Sequence, residues 1–371
     1  MVRQSTSPSP TNVVLGGYDG SLAGLSLAAD DTTALTLTLN FAYAPHANAV
    51  RCAALRSSLL ASGGVDETIR IYDLAKAVEV GTLLHHDGTI NALQFVRDSH
   101  RNLLFSCSDD ASICVWRCSD WTCMKQLRAH HAPVVDMAVH QSARVALSIA
   151  KDRALCMWNL SKGKVAFSCK TKGTKAPSSV HWSPKGDEYS LTSGTQVTLF
   201  SVEGRSNSVL KHQYSVLCEQ FIDNHTLATG GEEKTVRIWD TRQATTSVAA
   251  FDHDKRVRSL AFVDDLLLSA DSNGGIKIWD VRMRGRPRID TCIADGHLRL
   301  TCMTAAHKRD PPATPKIPED ENEVQVSDDE SPLSPEADKK ATTQSQKPKL
   351  PEGTASQRKR KKRKLMKATQ K

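Results

Sequence analysis

One pattern, repeated six times, constrains this chain more than anything else in it. Six segments share a polar turn, then alternating β-branched residues, then an aromatic: VDETIRIYD (65–73), DDASICVWR (109–117), KDRALCMWN (151–159), SGTQVTLFS (193–201), EEKTVRIWD (232–240) and SNGGIKIWD (272–280). Their aromatics, Tyr72, Trp116, Trp158, Phe200, Trp239 and Trp279, follow one another at intervals of 44, 42, 42, 39 and 40 residues. A period of roughly 40–45 residues with two-residue alternation is that of a four-stranded propeller blade. Helical solenoids need a 3.6-residue apolar rhythm that is missing here. Leucine-rich repeats are shorter, and kelch blades run nearer to about 50 residues.

Within each repeat the alternation predicts four short strands, an outer one and then three more. In the second repeat these fall near 78–84, 90–96, 102–107 and 112–117. After Trp279 only two more strands fit, near 288–293 and 299–305. The N-terminus offers two unassigned candidates, NVVLGG (12–17) and SLAGLSL (21–27). An open sheet edge invites aggregation, so these four are expected to form a seventh blade joining the two ends of the chain. Six blades with an appended ribbon is the alternative. The expected fold is all-β: a seven-bladed propeller over 11–307, preceded by a disordered 1–10 and followed by a disordered tail over 308–371.

Composition supports that boundary. Residues 308–371 contain no Phe, Tyr or Trp and eight of the fifteen prolines, too little apolar surface to offset chain entropy. The formal charge is +8, of which +5 belongs to the tail and +3 to residues 1–307. The tail divides into an acidic part, 319–338, and a basic part, 339–371, which ends in seven consecutive cations: Arg358, Lys359, Arg360, Lys361, Lys362, Arg363 and Lys364. Such a run suits nuclear import or RNA contact. Ser327, in an acidic context, and Ser331 and Ser334, each before proline, are candidate phosphorylation sites, as is Thr314. Phosphate there would draw the acidic half toward the basic half. The start MVRQSTSPSP has no apolar signal region, no run is long enough to span a membrane, and ten cysteines are too few for a disulfide scaffold. A soluble, reducing compartment is expected, with no membrane partner.

Three repeats place a histidine, a turn acid or amide and a tryptophan at matching positions: His86/Asp110/Trp116, His130/Asp152/Trp158 and His253/Asn273/Trp279. In isolation His with Asp suggests a catalytic triad. Recurrence at the blade period argues instead for a structural chain, turn acid to His to strand hydroxyl to indole N–H. The fourth and fifth repeats, with Phe200 for Trp and Glu233 for Asp, are expected to lack it. Cys107, Cys114, Cys118 and Cys123 have spacings foreign to common zinc sites, and Cys114 and Cys156 are equivalent strand positions, so packing explains them. No phosphate-binding loop, dinucleotide fingerprint or hydrolase motif is found, and the glycines of SGG (62–64) and TGG (229–231) are taken as turn residues. No catalytic residue, cofactor, metal or small-molecule substrate is expected. Partners are expected on the end where the outer-to-inner and second-to-third strand loops emerge together, at Val65, Asp109, Lys151, Glu232 and Ser272, with Asp87, Thr89, Lys255 and Arg256.

The segments SGGVDETIRIYDL (62–74), LLHHDGTINALQF (83–95), HWSPKGDEY (181–189) and RLTCM (299–303) resemble the p21-activated protein kinase-interacting protein 1-like family of WD40 proteins, which includes a yeast killer-maintenance ribosome-assembly factor. The resemblance spans about residues 46–305. It implies a WD40 propeller carrying the His–Asp–Trp chain. It also implies a nuclear, nucleolar factor in assembly of the large ribosomal subunit and rRNA processing, whose partners are proteins of the pre-60S particle and, through the basic tail, pre-rRNA. A second implied role is inhibition of a p21-activated protein kinase by binding it.

Overall fold

A computed structural model describes residues 11–29, 35–97, 102–171, 175–243, 246–281, 289–292 and 298–307. They form seven four-stranded antiparallel sheets and contain no helix. Blades 1 to 6 follow one another along the chain, over 50–83, 90–128, 134–170, 179–211, 216–252 and 257–292, each laid out from inner to outer strand. Blade 7 is built from both ends, in the order Leu300–His307, Thr11–Gly17, Leu22–Ala29 and Leu35–Tyr43. The closing pair runs antiparallel from Thr11↔His307 to Gly16↔Cys302.

The seven-bladed, end-to-end closure is as the repeat implies, with one of its four closing strands differently assigned. The strand expected near 288–293 is Ile289–Cys292, and it completes blade 6 rather than blade 7. The fourth strand of blade 7 is Leu35–Tyr43. The cause is a stagger between repeat and sheet: each sequence repeat begins in the outer strand of one blade and ends in the third strand of the next. The strand Val78–Leu83, for example, pairs with Ile69–Asp73 in blade 1, not with blade 2.

Strand alternation puts one apolar face of each sheet against its neighbour, and the core divides into seven clusters, one per seam. Leu199 and Leu210 of blade 4 meet Phe221 and Trp239 of blade 5; Val14 and Leu22 of blade 7 meet Val50 and Tyr72 of blade 1. Glycines tighten these seams. Gly63 and Gly230 lie within buried strands, not in turns, because a Cβ there would come within 2.6 Å of Ile90 and 2.8 Å of Val257, on the next inner strand in each case. The inner strands of six blades also carry a β-bulge near their start, which takes Arg51, Asn91, Val135, Leu217, Arg258 and Thr301 out of the ladder.

Each of blades 1 to 6 has a buried hydroxyl ten residues before its aromatic: Ser62, Ser106, Ser148, Ser190, Thr229 and Ser269. In blade 2 the chain of bonds is complete. Trp116 Nε1 donates to Ser106 Oγ at 2.8 Å, Ser106 meets His86 Nε2 at 2.8 Å, and His86 Nδ1 meets Asp110 at 2.8 Å. Blade 1 carries the same His46–Asp66 and His46–Ser62 links, missed in the sequence because Tyr72 replaces Trp. In blade 3, Trp158–Ser148–His130 is present but Asp152 makes no bond to His130 and binds Ala154 N instead. In blade 6 the acid nearest His253 is Asp271, at 3.9 Å, and not Asn273. The difference lies two residues after the turn acid. Thr68 and Ser112 there donate to the carboxylates of Asp66 and Asp110, at 3.0 and 2.7 Å, and hold them toward the imidazole. Ala154, two residues after Asp152, offers no hydroxyl, nor in blade 6 does Gly275, two residues after Asn273. Blade 5 keeps Trp239–Thr229 at 2.8 Å, but His212 stops 3.8 Å from Glu233; in blade 4 Ser190 turns to Glu219.

Burial raises the Asp66 and Asp110 carboxyls, yet the bonds from His46, His86 and the hydroxyls overcome it and hold both below the usual carboxylate range. Burial holds the His46 and His130 imidazoles below their ordinary value. All four groups then bind fewer protons folded than unfolded as the medium is acidified. Their contributions are present above the unfolded values and are lost as pH falls through the histidine range and then the carboxylate range. Urea unfolding is expected to show their joint contribution falling first between about pH 7 and 5 and again below about pH 4, with the first fall partly offset by Asp136 and His181, which hold protons more tightly when folded. Asp110→Ala is expected to cost about 2–3 kcal/mol, because it strands a buried imidazole N–H, and Asp152→Ala about 1 kcal/mol or less. Equal losses for the two variants refute the assignment of the network.

Candidate functional site

The loops before each inner strand and between the second and third strands emerge at one end of the ring. One main-chain bond repeats there: Val65 N to Ala49 O, Asp109 N to Thr89 O, Lys151 N to Pro133 O, Glu232 N to Ser215 O and Ser272 N to Arg256 O, each at 3.0 Å, and Tyr18 N to Arg299 O at 2.8 Å. Five of the nine rim residues expected from sequence, Val65, Asp109, Lys151, Glu232 and Ser272, therefore share one structural position, and Thr89 and Arg256 supply two of the carbonyls. Tyr18 belongs to the same set and was overlooked. Its signal was available: Gly16–Ser21, GGYDGS, lines up with GGVDET (63–68) and GGEEKT (230–235).

Charges on this rim are unevenly engaged. Lys151 pairs with Asp109 across blades 3 and 2 at 3.1 Å, and Asn91 also donates to Asp109 at 2.8 Å, so these two bind each other rather than standing free. Glu232, Lys255 and Arg256 are exposed. Deeper, the inner strands of blades 3, 4 and 5 bring Asp136, His181 and Glu219 to one side of the ring. Glu219 is buried and accepts from His181 Nδ1 at 3.2 Å, Ser179 at 3.2 Å, Ser190 at 3.0 Å and Thr192 at 2.7 Å. Burial lowers the His181 imidazole, but Glu219 and then Asp136 outweigh it and its proton is held more tightly than usual. Burial pushes the Asp136 carboxyl up to about 6, with backbone donors Val180 and Met137 opposing. This cluster was not singled out in the sequence, because its members come from three different blades and share no motif. Its bonds are internal and two of its hydroxyl partners, Ser190 and Thr192, are buried, so it fastens inner strands to one another.

The described cysteines are free thiols, and burial raises those of Cys52, Cys107 and Cys218. The one group of metal-type donors among the described residues is His85, Cys114 and Cys123, whose ligand atoms lie within 4.8 Å of one another. It differs from the four-cysteine set weighed above: Cys107 and Cys118 are not in it, and His85 joins it from the loop before blade 2. Cys114 also packs in the apolar seam with Ile71 and Trp116. Among the described residues no helix is long and apolar enough to cross a membrane. The cationic run 358–364, Ser327, Ser331, Ser334 and the first ten residues lie outside the described residues.

Comparison with known proteins agrees with the stagger of repeat and blade. The model of the WD domain, G-beta repeat, matches residues 37–73, 77–117, 204–240 and 245–280, each beginning around the outer strand of one blade and ending with the third strand of the next. The zebrafish (Danio rerio) protein "p21-activated protein kinase-interacting protein 1-like" is 32% identical over 300 residues, covering 78% of this chain and 79% of that one. "Protein MAK11" of Saccharomyces cerevisiae is 27% identical, over 79% of this chain and 82% of its own length. "Shk1 kinase-binding protein 15" of Schizosaccharomyces pombe is 29% identical, over 74% and 79%. With the propeller, its rim and this extent of identity together, the chain belongs to the p21-activated protein kinase-interacting protein 1-like family of WD40 proteins.

Proposed function

We propose that this protein is a non-catalytic assembly factor for the large (60S) ribosomal subunit, acting in rRNA processing in the nucleolus. The observation that carries it is the family membership, which brings with it the ribosome-assembly role implied by the resemblance. The propeller supports it by offering a rigid ring with a loop-built rim, the usual design of a protein-binding scaffold. The histidine–acid pairs are spent on blade structure, and they recur where an active site would occur once. The tail from Arg358 to Lys364 supplies an import signal and a contact for pre-rRNA, while the rim meets proteins of the particle. Nuclear and nucleolar location follows from the same reading. In sucrose gradients of nuclear extract the protein is expected to co-sediment with pre-60S particles, and depletion to slow maturation of large-subunit rRNA. Migration only as free protein, with rRNA processing unaltered by depletion, overturns the proposal.

A second reading is favoured by the names of relatives, two of which describe kinase binding. It makes this chain a docking partner and negative regulator of a p21-activated protein kinase. Pull-down of such a kinase by both the full chain and residues 1–307, with lowered kinase activity, is the outcome it requires. Capture only through the basic tail, or none, removes it.

A further inference from the structure

On one sector of the rim, four arginines and Lys255 outnumber the exposed acids of the same loops among the described residues, Asp19, Glu67 and Asp254. Inner strands follow one another around the ring from blade 6 to blade 7 to blade 1; Ser259 Oγ bonds to Met303 O at 3.2 Å across the first seam, and Thr301 Oγ1 to Val50 O across the second. Arg256 and Arg258 stand at the start of the first of these strands, Arg299 at the start of the second and Arg51 at the start of the third. Two of the four, Arg51 and Arg258, are bulge residues, a position that re-aims a side chain out of the ladder. Arg51, Arg256 and Arg299 are exposed and Arg258 is half-buried. Among the described residues no carboxylate pairs with any of them, whereas Lys151, further round the rim, has Asp109. Burial, then repulsion from Arg256 and Arg51, weakens the hold of Arg258 on its proton, in keeping with the common end of the ring at which these three stand. Asp19, the nearest acid in sequence to Tyr18, is occupied by Ser21 through Oγ at 2.5 Å and N at 3.1 Å.

An aromatic completes the patch. Tyr18 is 62% exposed, the guanidinium of Arg299 sits 5.2 Å from its ring centroid, and its amide is fixed to Arg299 O. A flat ring held by backbone beside a row of cations with no carboxylate partner among the described residues is the arrangement that takes a nucleobase on its free face and the attached backbone on its charges. A single phosphorylated side chain needs arginines converging on one point. Here they are strung across three successive blades, as a polyanionic strand requires.

We propose that the rim of blades 6, 7 and 1 binds single-stranded RNA, with Arg51, Arg256, Arg258 and Arg299 on phosphates and Tyr18 under a base. This gives the ribosome-assembly reading an RNA surface on the propeller itself, distinct from the basic tail, and rests on that reading. The test uses the full chain and a fluorescent uridine oligonucleotide across a salt series. The triple substitution R51Q/R256Q/R299Q is expected to lower the slope of log affinity against log salt by about 2, three phosphate contacts at about 0.7 each, while the tail's share persists. Tyr18→Ala is expected to weaken binding about 5- to 150-fold and Tyr18→Phe to leave it near wild type. Lys151→Gln is the rim control and should change little. Ultraviolet cross-linking with peptide mapping should label the segment holding Tyr18. Unchanged slope in the triple variant, unchanged affinity in Tyr18→Ala, cross-links confined to the tail, or displacement of RNA by an acidic peptide at equal concentration each overturn the proposal. Because the measurement uses purified RNA, its failure leaves co-sedimentation with pre-60S particles as a separate question.

Discussion

The whole ring depends on one antiparallel pairing between strands that lie almost 300 residues apart in sequence, Thr11–Gly17 and Leu300–His307. Without it, blade 7 has no inner strand, and the inner strands of blades 6 and 1 lose the neighbour they share. Each seam between blades is a small apolar cluster that neither sheet can bury alone, so the clusters between blades 6 and 7 and between 7 and 1 both require closure. Closure also covers the two apolar sheet faces that an open arc of blades would expose.

Much of this was legible in advance. Aromatics at near-constant spacing, with alternation before each, were enough for blade number, strand order and the joining of both ends, because a strand's face depends only on parity. What parity cannot show is which sheet an outer strand joins. Ile289–Cys292 and Leu35–Tyr43 were therefore the strands misassigned or missed. The glycines at 63 and 230 read as turns because sequence carries no record of a neighbouring blade's proximity; only the approach of Ile90 and Val257 explains them.

The candidate site was legible in part, for a related reason. His86, Asp110 and Trp116 announce their network by type and spacing, and Ser106 follows from its fixed offset of ten from the tryptophan. Whether an acid turns toward its histidine depends on the hydroxyl two residues further on, a second-order detail that separates Asp110 from Asp152. Asp136, His181 and Glu219 meet only because inner strands converge at the ring's centre, and Arg51 comes near Arg258 for the same reason. Such sets are written across blades, not along them.

The rim's repeated bond uses main-chain atoms alone, from the amide of Tyr18, Val65, Asp109, Lys151, Glu232 or Ser272 to a carbonyl on the preceding loop. Nothing in that bond specifies the side chain, and the residues that occupy the position range from tyrosine to lysine to glutamate. Selection can therefore rewrite these positions one by one without loosening the scaffold. A chain that shares under a third of its residues with the relatives it matches can keep the ring while its contacts drift, and one ancestral ring can come to serve unrelated clients.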